Sequence, residues 1–461
     1  MYLKKFTIQN IKCFSNLTLD FAPGGHPRKW TAILGKNGIG KSTLMQAIGV
    51  TLAGPVAIRE LMPVADGWVR SNANYGLIES EILWTEGDAQ TPHWPKTKTP
   101  YLARYVVTGQ GDGDLPASLS EYRDMPPIVM DWSGEGSSKA REKVTKDMIR
   151  LKQTAYSENK KGWFSCGYGP FRRLSGGAQQ ADRILYSERK ASRFITLFRE
   201  DAALTNATDW LISLYNTGRD GDVANQYTLD QVKEALKSDL LPESCDLVVN
   251  SNSALLKVAG RSPVLFRDLS DGYRSMLALG VDLLRRASSS FPEAENLLSV
   301  AGVVLIDEID AHAHPEWQRQ IGHWLRTKFP NLQFIVTTHS PFIAQVADEQ
   351  GGNIILEQRD GVISTRDDVE SVEGWRADQI LTDLQDLKST RSPEAEKKLR
   401  RYQELRERQT KLPLAEQSEL KQLRLWVEKL PAPYESADER VQSKQLETQV
   451  EKIKDKLEDL Q

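Results

Sequence analysis

Residues 35–42 read Gly-Lys-Asn-Gly-Ile-Gly-Lys-Ser and fit the pattern G-x-x-x-x-G-K-[ST] at every position. The pattern has a physical basis. Glycines let the backbone adopt positive φ and turn its N–H groups onto phosphate oxygens. The N-terminus of a following helix adds a partial positive charge. Lys41 would reach the β- and γ-phosphates of a nucleoside triphosphate, and Ser42 would ligate Mg²⁺. Gly35, Lys36, Asn37, Gly38, Ile39, Gly40, Lys41, Ser42 and Thr43 are therefore read as an ATP-binding loop, with ATP and Mg²⁺ as its ligands. The competing reading is a surface glycine-rich turn. Against it stand the strand-like WTAIL before the motif and the helical TLMQAIGVTLAG after it.

A second group of reactive residues lies some 270 positions further on. The apolar run VVLI ends in Asp307 and Glu308, and a later apolar strand, QFIVTTHS, carries His339. An aspartate at a strand end can hold Mg²⁺ through water, the role expected of Asp307. The adjacent Glu308 is placed to orient or deprotonate an attacking water. His339, leaving the next parallel strand, is expected to reach the γ-phosphate. An apolar run followed by two acids is weak evidence alone; the glycine-rich loop gives it force. His312 and His314 stand two apart, but no third ligand at metal-binding spacing accompanies them. Their segment, AHAHP, is read as a turn at which two subunits meet.

One further element is expected if two such subunits share their nucleotides: a serine-glycine signature that reaches ATP bound to the partner. Two stretches compete, LSGGAQQ at 174–180 and LSDGYRS at 269–275. In the ABC-type ATPases whose signature both stretches resemble, that element opens a helix running directly into the Asp-Glu strand, so its position is constrained. Ser270 lies 37 residues before Asp307, and Ser175 lies 132 before it. LSDGYRSMLALGVDLLRR continues as an apolar helix of good length, whereas LSGGAQQ leads into the polar ADR. Leu269, Ser270, Asp271 and Gly272 are assigned as the signature, and LSGGAQQ as a glycine-rich turn. A signature cannot serve the ATP of its own subunit, so the assignment predicts a homodimer, two-fold and head to tail, with two ATP molecules at the seam.

The elements that must position these residues follow from apolar periodicity. Phe6, Ile8 and Ile11 lead through strand LTLDF and a Pro/Gly turn to WTAIL. LIESEILW and YLARYVV read as further strands, and 136–165 as a basic helix plus loop. From 178 to 241 the pattern is helical, with TLDQVKEALKSDLL opening on a Thr/Asp cap. Strands CDLVV and ALLKV precede the signature helix. The order VVLI, PEWQRQIGHWLRTKF, QFIVTTHS is a βαβ unit with parallel strands, whose carboxyl ends face one side. After about 388 charged helices alternate with Pro-containing breaks. In the last, Leu446, Val450, Ile453, Leu457 and Leu460 recur at coiled-coil spacing. The expected fold is an α/β P-loop NTPase head of ABC/SMC type with a helical insertion and a C-terminal helical, coiled-coil region. Its expected parts are 1–177, the insertion 178–241, the second part of the head 242–387, and a helical partner-binding or oligomerisation region 388–461.

The totals set outer bounds. Among 461 residues, 60 basic balance 63 acidic side chains, so bulk charge does not argue for nucleic-acid binding. The nearest basic stretch, REKVTKDMIRLKQ at 141–153, reads as a solvated helix face. Cys13, Cys166 and Cys245 lie far apart, which fits a reducing compartment. The opening MYLKKFTIQNIKCF alternates like a strand rather than a leader, and no apolar run approaches the ~18 residues of a membrane span. A cytoplasmic protein without membrane contact is expected.

With these residues placed, the chain resembles the ABC/SMC-like ATPases of bacterial defence and repair, a group that includes the OLD-family ATPases. FTIQNIKCFSNLTLDF, GKNGIGKST, LSDGYRS, VVLIDEID and TTHSP carry the resemblance. GYGPFRR, LFREDAALTNATDWL and EGWRADQILTDL look like the PtuA ATPases of Septu anti-phage systems, which work with the HNH endonuclease PtuB. The AriA ATPase of PARIS systems, whose partner is a TOPRIM nuclease, is similar and stands as the rival; an autonomous SMC-like DNA-repair ATPase is a third reading. The resemblance implies a dimer-based oligomer, ATP-dependent control of a nuclease subunit, and direct DNA contact as an open alternative. AHAHP departs from relatives that carry a bulky apolar residue before the first histidine. No sustained heptad between Thr43 and Leu269 suggests the long arms of SMC proteins, and no HNH or TOPRIM constellation is evident. If DNA is cut, another chain is expected to do it.

Overall fold

WTAILG, GVVLI and LQFIVT are apolar at nearly every position, which demands strands covered on both faces. The computed structural model meets that demand. It describes residues 1–88, 99–108, 128–130, 138–159, 161–171, 189–202, 204, 206–237, 245–258, 260, 262–347, 352–366, 372, 374–408 and 412–430. Strands β3 (Trp30–Gly35), β7 (Ser165–Tyr168), β11 (Gly302–Ile306), β12 (Leu332–Thr337), β13 (Asn353–Arg359) and β14 (Val362–Arg366) form one sheet in the order β14-β13-β3-β12-β11-β7. All neighbours are parallel except the edge hairpin β13–β14.

Alternate side chains of these strands enter different cores, as a pleat of period two requires. Ile33, Val303, Leu305 and Ile335 face the first core, with helix α1 (Lys41–Ala53). Trp30, Val304, Ile306, Phe334 and Val336 face the second. Leu44, Ile48 and Leu52 are buried together with Met45, Ala47 and Val50, so α1 is covered nearly all round. Its outer cover is an antiparallel sheet of β1 (Tyr2–Ile11), β2 (Phe14–Asp20), β4 (Tyr75–Leu83), β5 (Tyr101–Thr108) and β6 (Ile128–Met130), with β1 between β2 and β4. Buried Gln333 ties the two sheets: its amide N donates to the Leu3 carbonyl at 3.0 Å and its amide O accepts from the Leu3 N–H at 2.7 Å.

The second core is closed by helices. α4 (Asn206–Arg219), α5 (Val223–Lys237), α6 (Asp271–Ser290) and α7 (Pro315–Lys328) supply its apolar faces, and β8 (Cys245–Val249), β9 (Ala254–Val258) and β10 (Val264–Leu265) add a small sheet. Between α1 and α4 come α2 (Pro55–Leu61) and α3 (Ser138–Gln153). The helix expected to open at Thr228 begins at Val223 instead. Asp222 Oδ1 accepts from the Asn225 N–H at 3.0 Å and caps it five residues early, just after Gly221 turns at φ 108°.

The chain divides into two compact units, Met1–Asp386 and Leu387–Gln461. In the second, α8 (Pro393–Glu407) and α9 (Leu414–Glu428) pack together, with the Arg401 guanidinium on Glu416 and Glu419 and Lys398 over Trp426. The heptad positions 446–460 and the stretch LSGGAQQ lie outside the described residues. Among the described residues, no helix is long and apolar enough to cross a membrane.

Candidate active site

β3 ends at Gly35 and α1 begins at Lys41, so the glycine-rich loop is the whole strand-to-helix connection. Gly38 (φ 78°) and Gly40 (φ 100°) take left-handed conformations that a side chain resists. Gly40 is also hemmed in: a Cβ there would lie 2.5 Å from Cys13 Sγ and 2.9 Å from Phe14 Cζ. The turn between β1 and β2 thus presses on the helix start, a contact not foreseen from sequence. Lys41 is 6% exposed, and its Nζ donates to the carbonyls of Gly35 at 2.8 Å and Lys36 at 3.2 Å. Burial lowers its pKa, while Asp307, Glu308 and Asp310 pull the other way. Ser42 is exposed beside it.

Those carboxylates sit where β11 and β12 end side by side. Thr337 clips them: its Oγ1 donates to Asp307 Oδ1 at 2.5 Å and accepts from the Glu308 N–H at 2.7 Å. Its carbonyl accepts from the Ile309 N–H at 3.1 Å. Glu308 is thereby held at φ 46°, a conformation that costs a non-glycine residue roughly 1–3 kcal/mol. On the opposite flank the Asp307 N–H donates to the Tyr168 carbonyl at 2.8 Å. Asp307 is 2% exposed. One residue further, Thr338 Oγ1 donates to Asp310 Oδ1 at 2.5 Å, and the His339 N–H points at both Asp310 oxygens at 3.4 Å. Burial and then Lys41 push the His339 imidazole below its usual pKa, against the pull of Asp310 and Glu308. It is neutral near pH 7.

Asp310, Thr337 and Thr338 escaped the sequence reading, although they lie within the quoted motifs. The signal was available: hydroxyls at the end of one parallel strand, beside acids at the end of its neighbour.

At the signature, Ser270 caps α6 without a side-chain hydrogen bond to the helix and is exposed. Leu269 packs against the second core, Asp271 is the first helical residue, and a Cβ on Gly272 would meet the His312 carbonyl at 3.3 Å. Tyr273 meets Trp317 edge to face at 4.6 Å. The stretch assigned from sequence as the signature therefore abuts the AHAHP turn. Both histidines there have structural tasks: His312 turns the chain at φ 63°, and His314 Nδ1 accepts from the Glu316 N–H to cap α7. Among the described residues, no cluster of three His, Cys, Asp or Glu side chains could hold a metal. Mg²⁺ does not require one, since it is bound through one or two protein groups, waters and substrate phosphates. The left-handed glycines, the ammonium of Lys41, the exposed Ser42 and buried Asp307 suit a magnesium-bound triphosphate. A cleft of about 740 Å³ opens on the β13 flank of the loop, lined by Gly35–Ile39, His339, Glu357, Arg359 and Gln385 among others.

An AAA domain family model matches residues 5–238, just over half of the chain, and a second AAA domain model matches 136–344. The Septu protein PtuA of Bacillus mycoides (strain KBAB4) is 24% identical over 390 residues, covering 83% of this chain but only 44% of that protein. The Septu protein PtuA of Bacillus thuringiensis is 23% identical over 406 residues, covering 85% of this chain and 86% of that one. A Vibrio cholerae serotype O1 biovar El Tor protein described as "Retron Vc95 probable ATPase" is 24% identical over 409 residues, 77% of this chain and 73% of its own. The chain thus spans less than half the length of the first of these relatives. The AAA domain model over 5–238 runs through β3, the glycine-rich loop and α1, and on that ground the chain belongs to the AAA-domain ATPases and, among the relatives it matches, resembles PtuA.

Proposed function

We propose that this chain is the ATP-hydrolysing regulatory subunit of a bacterial anti-phage complex. Two copies meet head to tail over two ATP molecules and control a nuclease of HNH type carried by another chain. One observation carries the chemistry: Thr337 fixes Asp307 and Glu308 at adjoining strand ends, within electrostatic reach of buried Lys41.

ATP is the substrate. Lys41 leaves the Gly35 and Lys36 carbonyls for the phosphates, joined by N–H groups of the glycine-rich loop and the α1 N-terminus. Ser42 and Asp307 would hold Mg²⁺, which when bound neutralises charge developing between the β- and γ-phosphates. Glu308 orients the attacking water and accepts its proton. Neutral His339 hydrogen-bonds toward the γ-phosphate. Ser270 and the N-terminus of α6 offer the partner's ATP an anion-binding end. ATP then joins the subunits and hydrolysis parts them, which makes the device a switch.

Resemblance to PtuA supports the defence role and a defence-system partner, and a nuclease of HNH type is the partner this reading assigns. Of the described side chains of α3, Lys143, Lys146 and Lys152 are exposed, and Lys146 pairs with Glu142. A cytoplasmic location fits the same reading.

The test is purification from the native host with Glu308→Gln and wild-type chains in parallel, in ATP. Glu308→Gln should retain ATP, hydrolyse it at least about 100-fold more slowly, and elute as locked dimers or multiples of them. An HNH nuclease at fixed stoichiometry supports the proposal. A TOPRIM nuclease would replace it with the AriA-like reading. A chain that emerges alone, with DNA-stimulated hydrolysis, would replace it with the autonomous repair ATPase. Wild-type hydrolysis by Glu308→Gln would remove the assigned base.

A further inference from the structure

Twelve residues beyond Ser270, α6 carries a carboxylate that points into the core sheet. The Asp282 side chain is 1% exposed and accepts four hydrogen bonds from three side chains. Arg286 Nε donates to Oδ2 at 2.6 Å, Arg285 donates to Oδ1 through Nη2 at 2.9 Å and Nε at 3.2 Å, and the Tyr168 hydroxyl donates to Oδ2 at 3.0 Å. Arg286 Nη1 continues to Ser192 Oγ at 3.2 Å.

Tyr168 is the member that leaves the helix. It is the last residue of β7, it is 1% exposed, and it stands in register with Ile306 of β11. Its backbone carbonyl accepts the N–H of Asp307. A single residue therefore touches both ends of the chemistry: the hydroxyl grips the signature helix and the carbonyl grips the strand-end aspartate. A phenyl ring would fill the same volume, and a buried hydroxyl costs free energy unless it is bonded. What the hydroxyl adds is direction. It fixes the rotation of α6 about its axis against β7, inside a fully bonded polar network of the kind that specifies one arrangement rather than several.

We propose that Tyr168 is a positioning residue: through Asp282 it locks the signature helix to the strand end that holds Asp307, so that the half-site presented to a partner's ATP and the chain's own carboxylate are set as one unit. This rests on the reading of Leu269–Gly272 as that half-site.

Tyr168→Phe in the full-length chain tests it, by steady-state ATP hydrolysis, ATP affinity from a fluorescent analogue, and thermal unfolding. The expected result is a kcat lowered about tenfold, with KM and affinity within about twofold, since small misplacements at a reacting centre cost rate more than binding. In a Ser270→Ala background the same change should lower kcat less than about twofold further, because both changes act on one unit. A merely structural tyrosine would lower the melting temperature, leave kcat per folded chain unchanged, and add independently to Ser270→Ala; either of the last two results overturns the proposal. The parent reading is judged separately with Ser270→Arg. Wild-type hydrolysis by Ser270→Arg removes the half-site, and the proposal with it, whatever Tyr168→Phe does. An inactive Ser270→Arg beside a Tyr168→Phe of wild-type kcat removes only the lock.

Discussion

The phosphate loop and the signature turn differ in where their shape comes from. At the loop, Gly38 and Gly40 adopt φ of 78° and 100°, and the N-terminal hairpin leaves no room for a Cβ on Gly40. At the signature, Ser270 has φ −59° and ψ 153°, which any residue adopts, and its side chain bonds no helix N–H. What holds it is remote: the apolar face of α6, and Asp282 buried among Arg285, Arg286 and Tyr168. The first element is specified by its own spelling and the second by what it is attached to. On the assignment of LSDGYRS, a poorer spelling suffices there because its helix is held from elsewhere. It also follows that damage at the loop should be local and severe, whereas damage at the signature can come from the remote bonds that hold its helix.

The largest effect is expected at the loop. Lys41→Ala removes the only ammonium bonded to the loop carbonyls among the described residues and should weaken ATP binding by about 2–5 kcal/mol, as truncating one partner of a buried charge contact does. Isothermal titration would measure it. The fold should survive, because a half-desolvated charge is lost with the contact. Unchanged affinity would mean that the loop's backbone alone binds the phosphates.

The signature should respond differently. Ser270→Arg should leave ATP binding by the single chain intact while lowering hydrolysis more than about tenfold, since the half-site is offered to the partner. Ser175→Arg should stay within about twofold of wild type. Comparing kcat as a function of protein concentration checks both. If Ser175→Arg proved the inactive variant, position would have lost to spelling and the comparison would collapse.

How much of this was legible in the sequence follows the same division. The parallel strands could be read because Val303–Ile306 and Leu332–Val336 must satisfy two cores at once. The loop could be read because its chemistry demands particular residue types at fixed spacing. Helix α5 was misplaced by five residues because Asp222, a local cap, outcompeted the Thr228/Asp230 signal inside the helix. The contact of Cys13 and Phe14 on Gly40 and the Tyr168–Asp282 bond were invisible for a different reason. Each joins residues far apart in the chain, and neither leaves a periodic trace. Register and side-chain direction, which only the folded sheet supplies, bring them together.

Two lysines carry the comparison down to its smallest expected effect. Lys41 and Lys190 are both 6% exposed. Lys41 is answered by three carboxylates, Asp307, Glu308 and Asp310, which oppose the effect of burial. Lys190 has Arg193 beside it, only Glu158 in compensation, and the Ala155 carbonyl as acceptor; burial brings its pKa down to about 7. The unfolded chain holds that proton up to about pH 10.4. Between about 7 and 10.4 the unfolded state therefore binds more protons, and stability rises with pH through this window. Below pH 7 the folded protein bears the full cost of a buried ammonium, about 5 kcal/mol at the upper limit. Lys190→Met removes that cost but leaves the Ala155 carbonyl unpaired, which costs about 1–3 kcal/mol. The variant should thus be more stable than wild type by about 2–4 kcal/mol at pH 6, with the gain shrinking as pH rises and gone by about pH 10. Urea unfolding at pH 6 and pH 9 measures the difference with all other groups held common. Lys41→Met should show a smaller change between the two, because three carboxylates oppose the burial that lowers its pKa. An equal pH dependence at both sites would mean that burial alone governs them, and that the carboxylates at the strand ends contribute little to keeping the phosphate-binding charge in place.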